Sequence, residues 1–216
     1  MVLLTPGPCM TSETVRQAAA LPDLNHRDPE YAQVARDVRG ALGRLGQGHK
    51  PYVIGGNGTM AMEAMVASCI EKGPCLVVSN GFYAERFVRI FQAHGIEHEL
   101  MWFPWDSPWD MAKIERALED GEFEAVLATH HETSTGRLNP ISELAEVAGA
   151  TGTTLLVDAV SSLGGEELSL AGIDAVCCTS NKCLHGLPGV AFVLLEPSFA
   201  VRIESFAPRT FSLHLP

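Results

Sequence analysis

The chain has 216 residues, 46% hydrophobic and 19% charged, which is enough for one large α/β domain with a sizeable core. Its formal net charge of -11 and its 15 Lys and Arg, none of them in a run, exclude a nucleic-acid footprint, because a phosphate backbone needs clustered cations. No apolar run reaches the roughly 18 residues of a membrane span, and Met1-Val2-Leu3-Leu4 meets Pro6-Gly7-Pro8 too soon for a secretory segment, so a soluble, cytoplasmic protein with no membrane partner is expected.

Residues 1–24 read as an N-terminal arm and residues 25–216 as one domain of repeated βα units. Asp28-Pro29-Glu30 offers an N-cap acceptor with proline at the first helical position, and Val34, Val38, Leu42 and Leu45 then recur at helical spacing. Glycines in Gly55-Gly56-Asn57-Gly58-Thr59 lead into a helix over 59–70. Further helices are predicted over 83–94, 110–119 and 140–150, stopped by Gly95, Gly121 and Gly152. Strands are predicted over 75–79, 97–103, 125–129, 154–157, 175–178 and 190–195. Most of these runs are apolar throughout rather than alternating, which favours a mainly parallel sheet covered by helices on both faces. The loop from Trp102 to Trp109 holds all three tryptophans, either as a strand end packed under a Pro-rich loop or as a subunit contact. The six cysteines, Cys9, Cys69, Cys75, Cys177, Cys178 and Cys183, lack the spacing of a disulfide framework and read as reduced thiols.

In a wound parallel sheet, ligands bind beyond the carboxyl ends of the strands, so the residues after each apolar run carry the functional argument. They are Asn80-Gly81-Phe82-Tyr83, then His130-His131-Glu132-Thr133-Ser134-Thr135-Gly136, then Asp158, then Thr179-Ser180-Asn181-Lys182. Asp158 follows Leu155-Leu156-Val157, where an unpaired carboxylate is costly. It is either a turn residue working with Ser161 and Ser162 or a fixed anion for a cationic ring nitrogen. Lys182 is either a surface lysine or a desolvated amine able to bind a carbonyl. The glycine stretch before residue 59 is either a tight turn or an anion cradle at a helix N-terminus; it matches neither the dinucleotide nor the P-loop spacing. An acid and a lysine on neighbouring strand ends are what pyridoxal 5'-phosphate asks of a protein. His130, His131, Glu132, Cys177, Cys178, Cys183 and His185 show no metal-ligand spacing, and no metal is expected.

Leu3-Leu4-Thr5-Pro6-Gly7-Pro8, Gly56-Asn57-Gly58-Thr59, Asn80-Gly81-Phe82-Tyr83, the run from His131 to Pro140, the run from Val157 to Gly165, and the run from Ser180 to Gly189 together resemble the class V aminotransferases of the fold-type I pyridoxal-phosphate enzymes. The resemblance implies a three-layer fold, a mainly parallel sheet flanked by helices, that forms the large domain of such enzymes. The small C-terminal domain that follows it in the family, with the arginine for the substrate carboxylate, is expected to be missing from these 216 residues. It implies that Lys182 forms the Schiff base with pyridoxal 5'-phosphate and that Asp158 partners the pyridine nitrogen. Gly58 and Thr59 then hold the phosphate, Tyr83 stacks on the ring, Thr133 lies near the ring hydroxyl, and Asn181 adjoins the cofactor. Asn57 stands where many members have Ser, and Asn181 stands where desulfurases carry His. Arg27, in the segment that passes the active-site mouth in that family, is a candidate for a substrate anion or else a solvated arginine before a helix. The implied partners are a small amine donor, 2-aminoethylphosphonate, the keto acid pyruvate, and a second subunit in a homodimer. A lyase on a related aminophosphonate, a transaminase of the alanine/serine–glyoxylate/pyruvate type, and a non-catalytic large-domain fragment are the alternatives.

Overall fold

The computed structural model describes residues 3–215; Met1, Val2 and Pro216, at the outer ends of the two predicted segments, lie outside the described residues. A seven-stranded sheet is built from β1 (Lys50–Gly56), β2 (Cys75–Ser79), β3 (His98–Trp102), β4 (Ala125–Thr129), β7 (Thr154–Asp158), β8 (Ala175–Thr179) and β9 (Gly189–Leu195). Between β4 and β7 the chain forms a separate small hairpin, β5 (His131–Glu132) with β6 (Arg137–Leu138). The spatial order is β1-β9-β8-β7-β4-β2-β3. Strands β8, β7, β4, β2 and β3 pair in parallel, whereas β9 is antiparallel to both its neighbours. The expected mainly parallel, helix-covered sheet is therefore present, with one reversed strand that the sequence pattern did not distinguish.

Strands β2, β4, β7 and β8 are buried along their whole length. Alternate residues of each strand feed two cores, as the two-residue strand period requires. Leu127 and Leu156 pack on one face with α3 (Gly58–Cys69), α4 (Phe82–His94) and α7 (Pro197–Ile203). Val126, Leu155 and Val157 pack on the other with α5 (Met111–Asp120) and α6 (Ile141–Thr151). Each fully buried Leu or Val in these layers contributes about 1.5–3 kcal/mol against conformational entropy.

Two helices complete the chain, α1 (Glu13–Ala18) within the arm and α2 (Pro29–Leu45) before the sheet. Asp28 takes the N-cap position of α2 without making a side-chain cap bond, while Asp110 caps α5 by accepting from Lys113 N–H. The predicted helix over 59–70 begins at Gly58, capped by Asn57, and that over 83–94 begins at Phe82. The predicted strand over 97–103 is shorter, and β1, α1 and α7 were not anticipated. In the tryptophan loop Phe103 and Trp109 are buried whereas Trp102 and Trp105 are exposed, and Arg137 donates to the Trp105 and Asp106 carbonyls.

Candidate active site

Since β9 alone runs backwards, the carboxyl ends of β1, β2, β4, β7 and β8 share one edge of the sheet. A cavity of about 200 Å3 opens there. It brings together Gly58 and Thr59 from the start of α3, Tyr83 from the start of α4, Asp158 from the end of β7, and Asn181 and Lys182 from the β8–β9 loop.

Asp158 is 3% exposed, and its Oδ1 accepts the Val160 N–H at 2.8 Å. Burial pushes its carboxyl up to about 6; the Val160 N–H opposes this, Glu132 adds to it, and Arg86 and Lys182 pull the other way. The anion is therefore expensive as it stands, and a cation placed in the cavity would stabilise it. Ser161 and Ser162, considered as its turn partners, instead meet His131 Nδ1 at 3.0 Å and His130 Nδ1 at 2.9 Å. Burial, with His131 beside it, lowers His130 to about 4, so its ring is neutral at physiological pH.

Lys182 is held through its backbone. Ser180 N–H donates to the Val190 carbonyl, Gly186 N–H to the Ser180 carbonyl, and His185 N–H to the Lys182 carbonyl. Asn181 Oδ1 accepts from Thr179 Oγ1 at 2.9 Å. The arm closes over this loop: Cys9 N–H donates to the Asn181 carbonyl at 3.0 Å, and a Cβ at Gly7 would lie 2.2 Å from Lys182 Cδ.

At the start of α3, the Asn57 side chain accepts from Met60 N–H and the Asn57 carbonyl from Ala61 N–H, both at 3.1 Å. The N–H groups of Gly58 and Thr59 keep no partner among the described residues, as a helix N-terminus dictates, and are available to an anion. Gly58 lies against Val160, which a Cβ would meet at 2.9 Å.

Tyr83 owes its place to Glu132, a carboxylate with no exposure at all. Glu132 accepts from the N–H groups of Tyr83, Ala84 and Ser134, each at 3.1 Å, and from Ser134 Oγ at 2.6 Å. An acid set against the first turn of α4 also complements the helix dipole. Gly81 permits the approach, since a Cβ there would fall 2.3 Å from Glu132 Cγ. One turn on, Arg86 lines the same cavity, donates to Thr59 Oγ1 at 2.6 Å and lies 4.8 Å from the Tyr83 ring centre.

Two predicted site residues stand apart. Thr133 is not among the residues lining the cavity; its Oγ1 donates to Ser161 Oγ at 2.8 Å, which ties the β5–β6 hairpin to the segment after β7. Arg27 is exposed, in the turn before α2, with its backbone N–H on Asn25 Oδ1. Sequence reasoning gave no role to Arg86 and weighed a role for Glu132 only as a metal ligand. The signal for Arg86 was its position one helical turn beyond Tyr83; for Glu132 it was an acid three residues beyond a buried strand. Among the described residues no group of three or more His, Cys, Asp or Glu is placed to hold a metal ion, all six cysteines are free, and no helix is long and apolar enough to cross a membrane.

A buried acid, a loop lysine and an open helix N-terminus at the strand ends of a mainly parallel sheet define the large domain of a fold-type I enzyme. The family model for class-V aminotransferases matches residues 27–212, and the chain belongs to that family. A 2-aminoethylphosphonate–pyruvate transaminase of Burkholderia thailandensis is 39% identical over 214 residues, covering 96% of this chain and 58% of its own length. An aspartate aminotransferase from Thermus thermophilus superposes with a TM-score of 0.90 at 30% identity, covering 99% of this chain and 61% of that one. An alanine–glyoxylate aminotransferase from Nostoc sp. gives a TM-score of 0.90 at 29% identity, covering 98% and 57%. The chain thus spans 58% of the length of the curated relative and a similar share of the solved structures.

Proposed function

We propose that these residues form the cofactor-binding part of a pyridoxal 5'-phosphate-dependent transaminase that moves an amino group from 2-aminoethylphosphonate to pyruvate, as a homodimer. The observation that carries the reading is the convergence of Asp158, Lys182 and the open N-terminus of α3 on one cavity. The donor set fits the cofactor's chemistry: a destabilised buried carboxylate for a cationic ring nitrogen, an amine for an aldehyde, and free N–H groups for a phosphate. The substrate pair rests on the relatives named above.

Bound pyridoxal phosphate would supply an exchangeable aldehyde carbon and a ring that draws electrons from the substrate Cα. The protein's part is to bind, orient and move protons. Asp158 holds the positive charge of the ring nitrogen, and its own ionisation becomes favourable once that charge is present. Lys182 would hold the carbonyl carbon through its amine, and the same amine, once free, would carry a proton to and from the substrate carbon. Gly58 and Thr59 would hold the phosphate and Tyr83 the ring, and Asn181 adjoins the lysine.

The test uses the full chain with added pyridoxal 5'-phosphate. Borohydride treatment is expected to fix the cofactor on Lys182 and to leave Lys182→Ala unlabelled. With 2-aminoethylphosphonate and pyruvate, alanine and the corresponding aldehyde are expected in equal amounts. Free ammonia without alanine would indicate elimination, preference for another amine would replace the substrate assignment, and failure to bind the cofactor in excess would sink the enzyme reading.

A further inference from the structure

Arg86 has no role in the reading above, yet its surroundings are unusual for an arginine. It is half-buried in the cavity wall, and among the described residues the ion pairs are Arg16 with Glu13, Lys72 with Glu71 and His94 with Glu63, so no carboxylate lies at ion-pair distance from its guanidinium. Of its five N–H donors one has a hydrogen-bond partner, Thr59 Oγ1 at 2.6 Å. The flat guanidinium packs over the Tyr83 ring at 4.8 Å and the Phe82 ring at 5.5 Å, which fixes its plane and keeps water from part of it.

Two consequences follow from ordinary hydrogen-bond chemistry. Thr59 Oγ1 accepts from Arg86, so the Thr59 hydroxyl hydrogen is free to be donated elsewhere. A guanidinium with unused donors beside the unpartnered N–H groups of Gly58 and Thr59 concentrates positive charge at the α3 end of the cavity. That end suits a dianion better than a monoanion or a neutral group.

We propose that Arg86 is the residue that makes the site selective for a phosphorylated ligand: it orients the Thr59 hydroxyl and supplies the cation that the two backbone N–H groups lack. The inference rests on the cofactor reading above and adds to it a residue lying outside the phosphate loop. The phosphate in question is the cofactor's, because Arg86 is bonded to Thr59 in the first turn of α3.

Equilibrium dialysis of the full chain against pyridoxal 5'-phosphate and against pyridoxal, which lacks the phosphate, separates the possibilities without an activity assay. The wild-type chain is expected to prefer the phosphorylated compound. Arg86→Gln is expected to weaken pyridoxal 5'-phosphate by about ten- to hundredfold, the worth of a charge-assisted hydrogen bond, with pyridoxal unchanged. Arg86→Lys keeps the charge but not the fork and is expected to fall between the two; it also carries the test if the Gln variant does not fold. Inorganic phosphate is expected to compete with pyridoxal 5'-phosphate in the wild type and less well in Arg86→Gln. Equal weakening of both compounds would reduce Arg86 to a packing residue on Tyr83 and overturn the inference, as would an unchanged preference. A loss confined to phosphonate-bearing amines, with cofactor preference intact, would move the cation to the substrate and overturn it too. Failure of the wild-type chain to bind either compound would remove the cofactor reading itself, an outcome distinct from all of these.

Discussion

Helices α2 and α3 are consecutive in the sequence and opposite in surroundings. α3 has eight buried residues, among them Ala61, Met62, Met65 and Val66, whereas α2 has none. α2 packs only the half-buried Leu42 and Leu45 against the core and is otherwise supported locally, by proline at its first position and the i,i+3 and i,i+4 bonds of Arg36 to Gln33 and Gln33 to Asp37. Its apolar stripe of Tyr31, Val34 and Val38 lies open along a groove shared with Val53, Leu187 and Val190. α3 is fixed by what packs on it, and it is α3 that delivers its N-terminus to the cavity. The difference shows where precision is kept. The groups that would touch a ligand rise from buried elements, and the surface helix bears none of them.

Four substitutions probe that contrast, beginning at its buried end. Lys182→Ala is expected to abolish borohydride fixation of the cofactor altogether, read by mass spectrometry of the labelled peptide. Glu132→Ala leaves buried N–H groups at the start of α4 without an acceptor and is expected to cost about 3 kcal/mol or more in denaturant unfolding. Tyr83 should lose its fixed position in the same variant. Asp158→Asn is expected to stabilise the cofactor-free chain at pH 7 by about 3 kcal/mol, since each pH unit between the ordinary carboxylate value and about 6 is worth about 1.4 kcal/mol. The sign follows from the folded state holding its proton more tightly than the unfolded one. The stability that Asp158 contributes is full below about pH 4 and is lost as pH rises to about 6, so the gain from Asn should vanish in acid; a constant gain would refute the buried-anion account. At the surface end, Val34→Glu is expected to change single-chain stability by no more than about 0.5 kcal/mol. A concentration-dependent melting temperature that this substitution removes would show that a second copy covers the α2 stripe.

The same contrast explains what is legible in the sequence. Strands β2, β4, β7 and β8 were legible because burial on both faces leaves unbroken apolar runs, and the long helices because Pro29, Asp110, Gly95 and Gly152 punctuate them. β1 was not, since Pro51 argues against a strand interior; the strand forms at the sheet edge, where β9 alone pairs with it. α1 is too short and too exposed to show a period, and α7 spans only 7 residues, although Glu196 and Pro197 mark its start. In the site, Asp158 and Lys182 were visible because each closes or follows a buried run. Glu132 and Arg86 act on Tyr83 and Thr59 across long stretches of chain, and no local pattern reports such contacts. The bond of Thr133 Oγ1 to Ser161 Oγ joins residues 28 apart and cannot be seen in a linear reading.

The reversal at β9 has a further effect. The chain leaves the sheet at Thr179 and re-enters it at Gly189, and the bonds of Ser180 to Val190 and of Gly186 to Ser180 tie this bend into a closed ring. Closing so short a ring costs little chain entropy, and the cost is met when the sheet forms rather than when a ligand arrives. The amine of Lys182 is therefore presented on a preassembled hoop. Lengthening that hoop by inserted glycines should slow capture of an aldehyde while leaving the strands beneath it intact.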